Sequence, residues 1–272
     1  MKIKMLLILL ALVSLEFQSC SKNSSTTTPA PTLVLVDTVS MSTTNEIPAV
    51  AGRGETATAI LQVYSDNTLK YNIVVANLTA GDAITGSHIH LGNAGASGSV
   101  YIPFSNSGIS GSTVMGTLQL TSTQVDTLKS IPAYVNVHTT QAPGGLLRGQ
   151  IDSKVVLATD IVMLGTNEVP SVSTTASGLA ILRMTQDKNL YVKVVVSNLE
   201  AGDSMRVAHF HSAATGANGG VLLGFYSSNA DFGTFKKITV DNPTYNSLLN
   251  DALYVNAHSS AHPSGIIRGQ LR

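Results

Sequence analysis

From Leu33 onward the chain alternates apolar and polar residues in short runs broken by Gly, Pro, Asn and Asp. Such alternation is the signature of strands with one buried face, because successive side chains leave a strand on opposite sides. It predicts strands over Leu33–Met41, Thr56–Tyr64, Leu69–Val75, Ile84–His90, Val100–Phe104, Val114–Leu120, Ala133–His138 and Leu146–Ile151. Ser65-Asp-Asn-Thr68 and Asn77-Leu-Thr-Ala-Gly-Asp82 read as turns. Leu91–Gly98 reads as a Gly-rich loop. Thr121-Ser-Thr-Gln124 has capping-box spacing, which predicts a short helix over Thr123–Ser130. No stretch of ten or more residues holds a 3.6-residue period, so helical and α/β folds are excluded.

The pattern then repeats. Asn45-Glu-Ile-Pro48 returns as Asn167-Glu-Val-Pro170, and His88-Ile-His90 as His209-Phe-His211. The hairpin Tyr134-Val-Asn-Val-His138…Arg148-Gly-Gln150 returns as Tyr254-Val-Asn-Ala-His258…Arg268-Gly-Gln270. A repeat of this length is a domain rather than a solenoid unit. The chain therefore divides into 33–152 and 153–272, with no linker between them. Each part is expected to be an antiparallel β-sandwich of immunoglobulin-like size with one short helix, so the fold class is all-β. In the second copy Asn242 is the expected helix cap and Pro243 the first helical residue.

Composition narrows the class. Charged residues make up 12% and the formal net charge is zero, so nothing favours nucleic acid as a partner. Met1-Lys-Ile-Lys-Met5 followed by the apolar run Leu6–Val13 reads as a signal peptide over 1–19. The only cysteine, Cys20, follows Ser19 at the position of a bacterial lipobox. The expectation is an acylated Cys20 in the lipid bilayer, a flexible tether over 20–32, and export to the cell envelope. With a single cysteine, no disulfide can form within the chain.

The chemistry concentrates in histidine. His88 and His90 share one strand face, as do His209 and His211. His138 or His258 on a neighbouring strand would complete a three-imidazole set suited to copper or zinc. Convergence of the nitrogens to about 3–4 Å marks such a site, and separations beyond about 6 Å mark a purely structural network. That network would join Glu46, Asn136, Arg148 and Gln150, with Glu168, Asn256, Arg268 and Gln270 in the second copy. In it the arginine pairs with the glutamate, since a buried charge persists only when compensated. The Gly-rich loop lacks the Lys-Ser/Thr of a phosphate loop, no serine sits in a nucleophile elbow, and no paired carboxylates suggest hydrolysis.

The order Asn-Glu-x-Pro, His-x-His, Gly-rich loop, Tyr-Val-Asn-x-His, Pro-x-Gly-x-x-Arg-Gly-Gln resembles the CHRD domain, in both copies and across residues 33–272. The family is named for the extracellular protein chordin and occurs in bacterial secreted proteins. It implies an exported β-rich domain and no particular reaction. The His-x-His strand is also similar to the copper-site strand of Cu,Zn superoxide dismutase, although the zinc loop and disulfide cysteines of that enzyme have no counterpart here. The resulting expectation is a non-enzymatic, lipid-anchored binding or structural protein with an unknown extracellular or periplasmic ligand. Two alternatives stand beside it: a copper or zinc binding protein, and a dismutase-like enzyme.

Overall fold

The computed structural model describes residues 29–151 and 153–272. The expected signal peptide, the acylated Cys20 and most of the tether lie outside the described residues. Domain 1 contains β1 (Leu33–Ser42), β2 (Thr56–Tyr64), β3 (Thr68–Ala76), β4 (Ile84–Leu91), β5 (Val100–Pro103), β6 (Ile109–Ser110), β7 (Thr113–Gln119), α1 (Ser122–Ser130), β8 (Ala133–Thr139) and β9 (Leu147–Gln150). Domain 2 contains β10 (Val155–Leu164), β11 (Ser177–Thr185), β12 (Asn189–Ser197), β13 (Met205–Ser212), β14 (Val221–Tyr226), β15 (Lys236–Thr239), α2 (Asn242–Asn250), β16 (Leu253–Ser259) and β17 (Ile267–Gln270). Both domains are all-β with antiparallel pairing and one short α-helix each.

In domain 1 the strand order is β5-β4-β8-β9-β1-β2-β3-β7-β6. The β9–β1 junction is a single residue pair, Arg148 opposite Ser42. It divides the order into two layers, β5-β4-β8-β9 and β1-β2-β3-β7-β6, whose inward side chains form one core. Leu61, Val63, Leu69, Ile73, Ile89, Val135 and Leu147 are all buried in it. Domain 2 repeats the plan as β14-β13-β16-β17-β10-β11-β12-β15, again with a single β17–β10 pair, Arg268 opposite Leu164.

The layers meet so closely at the junction that only glycine fits. A Cβ on Gly149 would fall 2.5 Å from Val39 Cγ1 and 2.6 Å from Met41 Cγ. This is the physical reason for the glycine of Arg-Gly-Gln: it lets β1 cross over β9.

The helices follow their caps. Thr121 and Gln124 form the expected reciprocal capping box, and α1 begins at Ser122, one residue earlier than predicted. In domain 2 the cap is Asp241, whose side chain accepts from the Thr244 N–H at 2.9 Å. Asn242, predicted as the cap, is the first helical residue, because an ionised carboxylate is the stronger acceptor for an N-terminal amide.

Candidate functional site

The His-x-His strand and the Tyr-x-Asn-x-His strand are hydrogen-bonded neighbours. In β4 and β8, His88 lies opposite Asn136, His90 opposite Tyr134, and Gly86 opposite His138. His138 is thus one diagonal step from His88 on the same face, within side-chain reach. The His88 and His138 ring centroids are 5.0 Å apart, and those of His88 and His90 5.7 Å. Domain 2 reproduces this, with 4.9 Å between His209 and His258 and 5.6 Å between His209 and His211. In each triad one ligand-competent nitrogen per ring lies within 4.8 Å of the other two.

The wiring of the rings fixes which nitrogens are free. His90 Nδ1 is 2.9 Å from the Gly98 carbonyl, and His138 Nδ1 is 3.0 Å from the Pro143 carbonyl. A carbonyl can only accept, so each Nδ1 carries the proton and each Nε2 of the neutral ring is a bare lone pair. Those two Nε2 atoms and His88 Nδ1 are buried without a protein hydrogen-bond partner. In domain 2 the same three atoms, His209 Nδ1, His211 Nε2 and His258 Nε2, are equally unpartnered. There His211 Nδ1 meets the Gly219 carbonyl at 2.9 Å and His258 Nδ1 the Pro263 carbonyl at 3.0 Å.

A metal-binding histidine usually has this arrangement, with one nitrogen donating to a carbonyl and the other turned to the ion. At His90, His138, His211 and His258 the metal and network readings therefore do not compete, since each of these four rings bonds a carbonyl through Nδ1 and leaves Nε2 free. Burial lowers the pKa of His88, and positive charge on His138 or His90 would lower it further. Burial likewise lowers His90, against the Gly98 hydrogen bond, and it lowers His209 and His258 in domain 2. These shifts favour the neutral form of His88, His90, His209 and His258, the form that ligation requires.

A second layer orients the first. Tyr134 stacks on His90 with centroids 4.9 Å apart and planes 4° from parallel. The Arg148 guanidinium carbon sits 3.6 Å from the centre of the same Tyr134 ring. Arg148 donates to the carbonyls of Asn93 at 2.7 Å and Ala96 at 2.8 Å, so it clamps the Gly-rich loop. Gln150 ties the start of that loop through the Gly92 carbonyl at 2.7 Å. Domain 2 has the same His211–Tyr254–Arg268 stack, and Gln270 donates to the Ala213 carbonyl.

The expected Arg–Glu ion pair is replaced by a different connection. Asn136 donates to Glu46 Oε1 at 2.6 Å, and Asn256 to Glu168 Oε1 at 2.6 Å. Both arginines turn to loop carbonyls instead, and their charge reaches the glutamates only through space. The reason is geometric: β9 aims Arg148 across Tyr134 toward the loop, where the Asn93 and Ala96 carbonyls face it.

Burial raises Glu46, and it raises Glu168 to about 7, opposed by the Arg268 charge and the Asn256 hydrogen bond. A carboxyl with a raised folded-state pKa binds its proton more tightly when folded. Its contribution is therefore full below the ordinary value of 4.5 and is lost as pH rises through about 7. Glu168→Gln, which fixes the neutral form, is expected to gain melting temperature relative to the parent as pH rises from 5 to 8. Thermal unfolding at both pH values measures this, and a difference that is independent of pH would contradict it.

Gly98, Gly219, Pro143 and Pro263 were not expected to be part of a site. Their signal is the fixed spacing from histidine, eight residues from His90 to Gly98 and from His211 to Gly219, and five from His138 to Pro143 and from His258 to Pro263. A side chain at Gly98 would overlap the Leu91 carbonyl, so only glycine lets this loop present its carbonyl to His90. His262, which has Ala142 as its counterpart, lies outside the triads.

The CHRD domain model matches residues 38–151 and again 159–271. The chain belongs to the CHRD family. The two CHRD matches coincide with the two sandwiches, and each contains one complete histidine triad. Searches of curated proteins and of solved structures return no match for the chain.

Proposed function

We propose that this tandem CHRD protein is a non-enzymatic binding protein that holds one transition-metal ion in each domain. One observation carries the reading: in each domain three histidines bring one ring nitrogen apiece within 4.8 Å, wider than the roughly 3–4 Å of a closed site but inside the limit of roughly 6 Å, and each ring has a buried nitrogen without a protein partner. Leaving a buried polar atom unpaired costs about 1–3 kcal/mol, and a ligated ion relieves three such atoms at once. The donor set decides the class of ion. Three neutral imidazoles without a carboxylate suit copper or zinc and disfavour magnesium, calcium and manganese. Three protein ligands leave a fourth position open for water or a small ligand.

Zinc or copper added to the purified protein, followed by dialysis and elemental analysis, tests this. Two ions per chain are expected. His88→Ala with His138→Ala should reduce this to one, and adding His209→Ala with His258→Ala should abolish it. Retention of two ions by the four-site variant, or none by the folded parent, would overturn the reading.

A further inference from the structure

The internal repeat allows one domain to be read against the other, and the two differ in one respect. In domain 1 the Asn45 end of the Asn-Glu-Ile-Pro segment and the tip of the Gly-rich loop are covered by domain 2. Arg183, fully buried, donates to the Asn45 carbonyl at 3.4 Å and also to the Glu46 carbonyl. Its guanidinium is paired with Asp160 at 2.8 Å, and the other Asp160 oxygen accepts from the Ala49 N–H at 2.9 Å. Loop residue Gly95 lies against Tyr191 and Phe235, so closely that a Cβ there would fall 2.8 Å from Tyr191 Cβ. Asn45, Ala94 and Gly95 are buried as a result.

In domain 2 the equivalent residues Asn167, Thr215 and Gly216 are exposed. The local structure is otherwise kept. Asn167 donates to the Arg268 carbonyl at 3.0 Å as Asn45 does to the Arg148 carbonyl at 2.9 Å, and the proline of each segment follows a cis peptide bond. A cavity of about 250 Å³ opens there, lined by Asn167, Glu168, Val169, Thr215, Gly216 and Arg268 among others.

We propose that this surface of domain 2 is a docking site for a second polypeptide, recognised through a β-sheet face that presents an arginine beside a carboxylate and an aromatic ring. The occupant's chemistry is read from the copy already occupied, where Arg183, Asp160 and Tyr191 fill these roles. A second copy of this chain is a poor occupant. By strand register, the positions in domain 1 that correspond to Asp160, Arg183 and Tyr191 are Thr38, Gln62 and Lys70. Phe235, two residues before Lys237 opposite Tyr191, corresponds to Met115. Domain 1 thus offers neither the guanidinium–carboxylate pair nor the ring. Its matching face leaves Val36, Ile60 and Met115 exposed without these polar anchors. No triad histidine lines this surface, although Arg268 and the loop carrying Gly219 border both.

Grafting the missing groups tests the proposal. The probe is this chain carrying Thr38→Asp, Gln62→Arg, Lys70→Tyr and Met115→Phe, all on the outward face of domain 1. Its domain 1 should dock on domain 2 of the next molecule, a head-to-tail contact that need not close into a ring. Sedimentation velocity should show a mass rising with concentration to twice that of the parent or more. Thr215→Trp in the same background should return the parent's mass. A folded probe with the parent's mass at every concentration would overturn the proposal, as would association undiminished by Thr215→Trp. If the fourfold variant unfolds, the Thr38→Asp, Gln62→Arg pair is read by the same criteria.

Discussion

Replacing Arg148 with alanine is expected to lower the unfolding free energy by about 3–5 kcal/mol, the cost of breaking a buried, compensated charge. Arg148 is 2% exposed. Burial pulls its pKa down to about 10, so it is still charged at neutral pH. Its removal takes the only side-chain donor from the Asn93 carbonyl, orphans the Ala96 carbonyl, uncovers the Tyr134 ring, and leaves Glu46 with the Arg183 charge alone. Arg148→Lys restores charge but not the planar fork that bonds two carbonyls while stacking on a ring, so it should recover only part of the loss. Denaturant unfolding measures both, with Lys129→Ala on the exposed end of α1 as a reference expected to stay within about 0.5 kcal/mol. A loss below about 1 kcal/mol for Arg148→Ala would show that the clamp contributes little. The same change should weaken metal binding in domain 1 alone, because the clamped loop carries the Gly98 carbonyl that orients His90.

The second large effect is metal-dependent stability. An ion that binds only the folded state adds about 4 kcal/mol when present at about 1,000 times its dissociation constant. A shift of that size raises the melting temperature by more than about 8 °C in a chain of this length. Its pH dependence has a definite sign. Ligation needs neutral rings, and the pKa values of His88, His90, His209 and His258 are lowered from the ordinary 6.5. The metal-induced shift should therefore persist below pH 6.5 and vanish only as pH falls through the depressed folded values. Without metal the same groups act in the same direction. Above 6.5 they contribute no penalty, and stability is lost as pH falls because the unfolded chain takes up protons first. Scanning calorimetry with and without zinc, between pH 5 and 8, checks both statements. A shift of equal size in the variant lacking His88, His138, His209 and His258 would place the ion elsewhere.

Much of the site could be read from the chain. His88 and His90 share a face because side chains alternate along a strand, and that relation involves neighbours only. The polar roles of Arg148, Gln150 and Asn136 were legible as a network, but its connections were not. Opposite charges suggested that Arg148 pairs with Glu46, whereas the nearest unsatisfied groups around the guanidinium are loop carbonyls, which carry no sequence signal. Alternation places Tyr134, Asn136 and His138 on one face of β8, opposite Val135 and Val137, without saying what covers that face. Tyr134 and Asn136 are buried, under Arg148 and against Glu46, while His138 stays partly exposed. The absence of a linker already implied that the two domains pack with little freedom, but the contacts of their junction were not legible, because Arg183 and Asp160 have no counterparts in the first copy to mark them.

The sequence by itself determined the repeat, the strands, the capped helices and the histidine pairs, since all of these rest on local periodicity, capping groups and turn residues. Only the tertiary structure decided that β4 and β8 are neighbours, that Gly86 rather than another residue faces His138, and that two loop carbonyls orient the rings. Pairing between strands almost fifty residues apart is selected by the burial of every side chain on the sheet at once, and a one-residue slip would turn each histidine to the opposite face. The same global packing covered Asn45 and the loop tip Ala94–Gly95 and left Asn167, Thr215 and Gly216 open, a difference that no motif records because the two motifs are nearly the same.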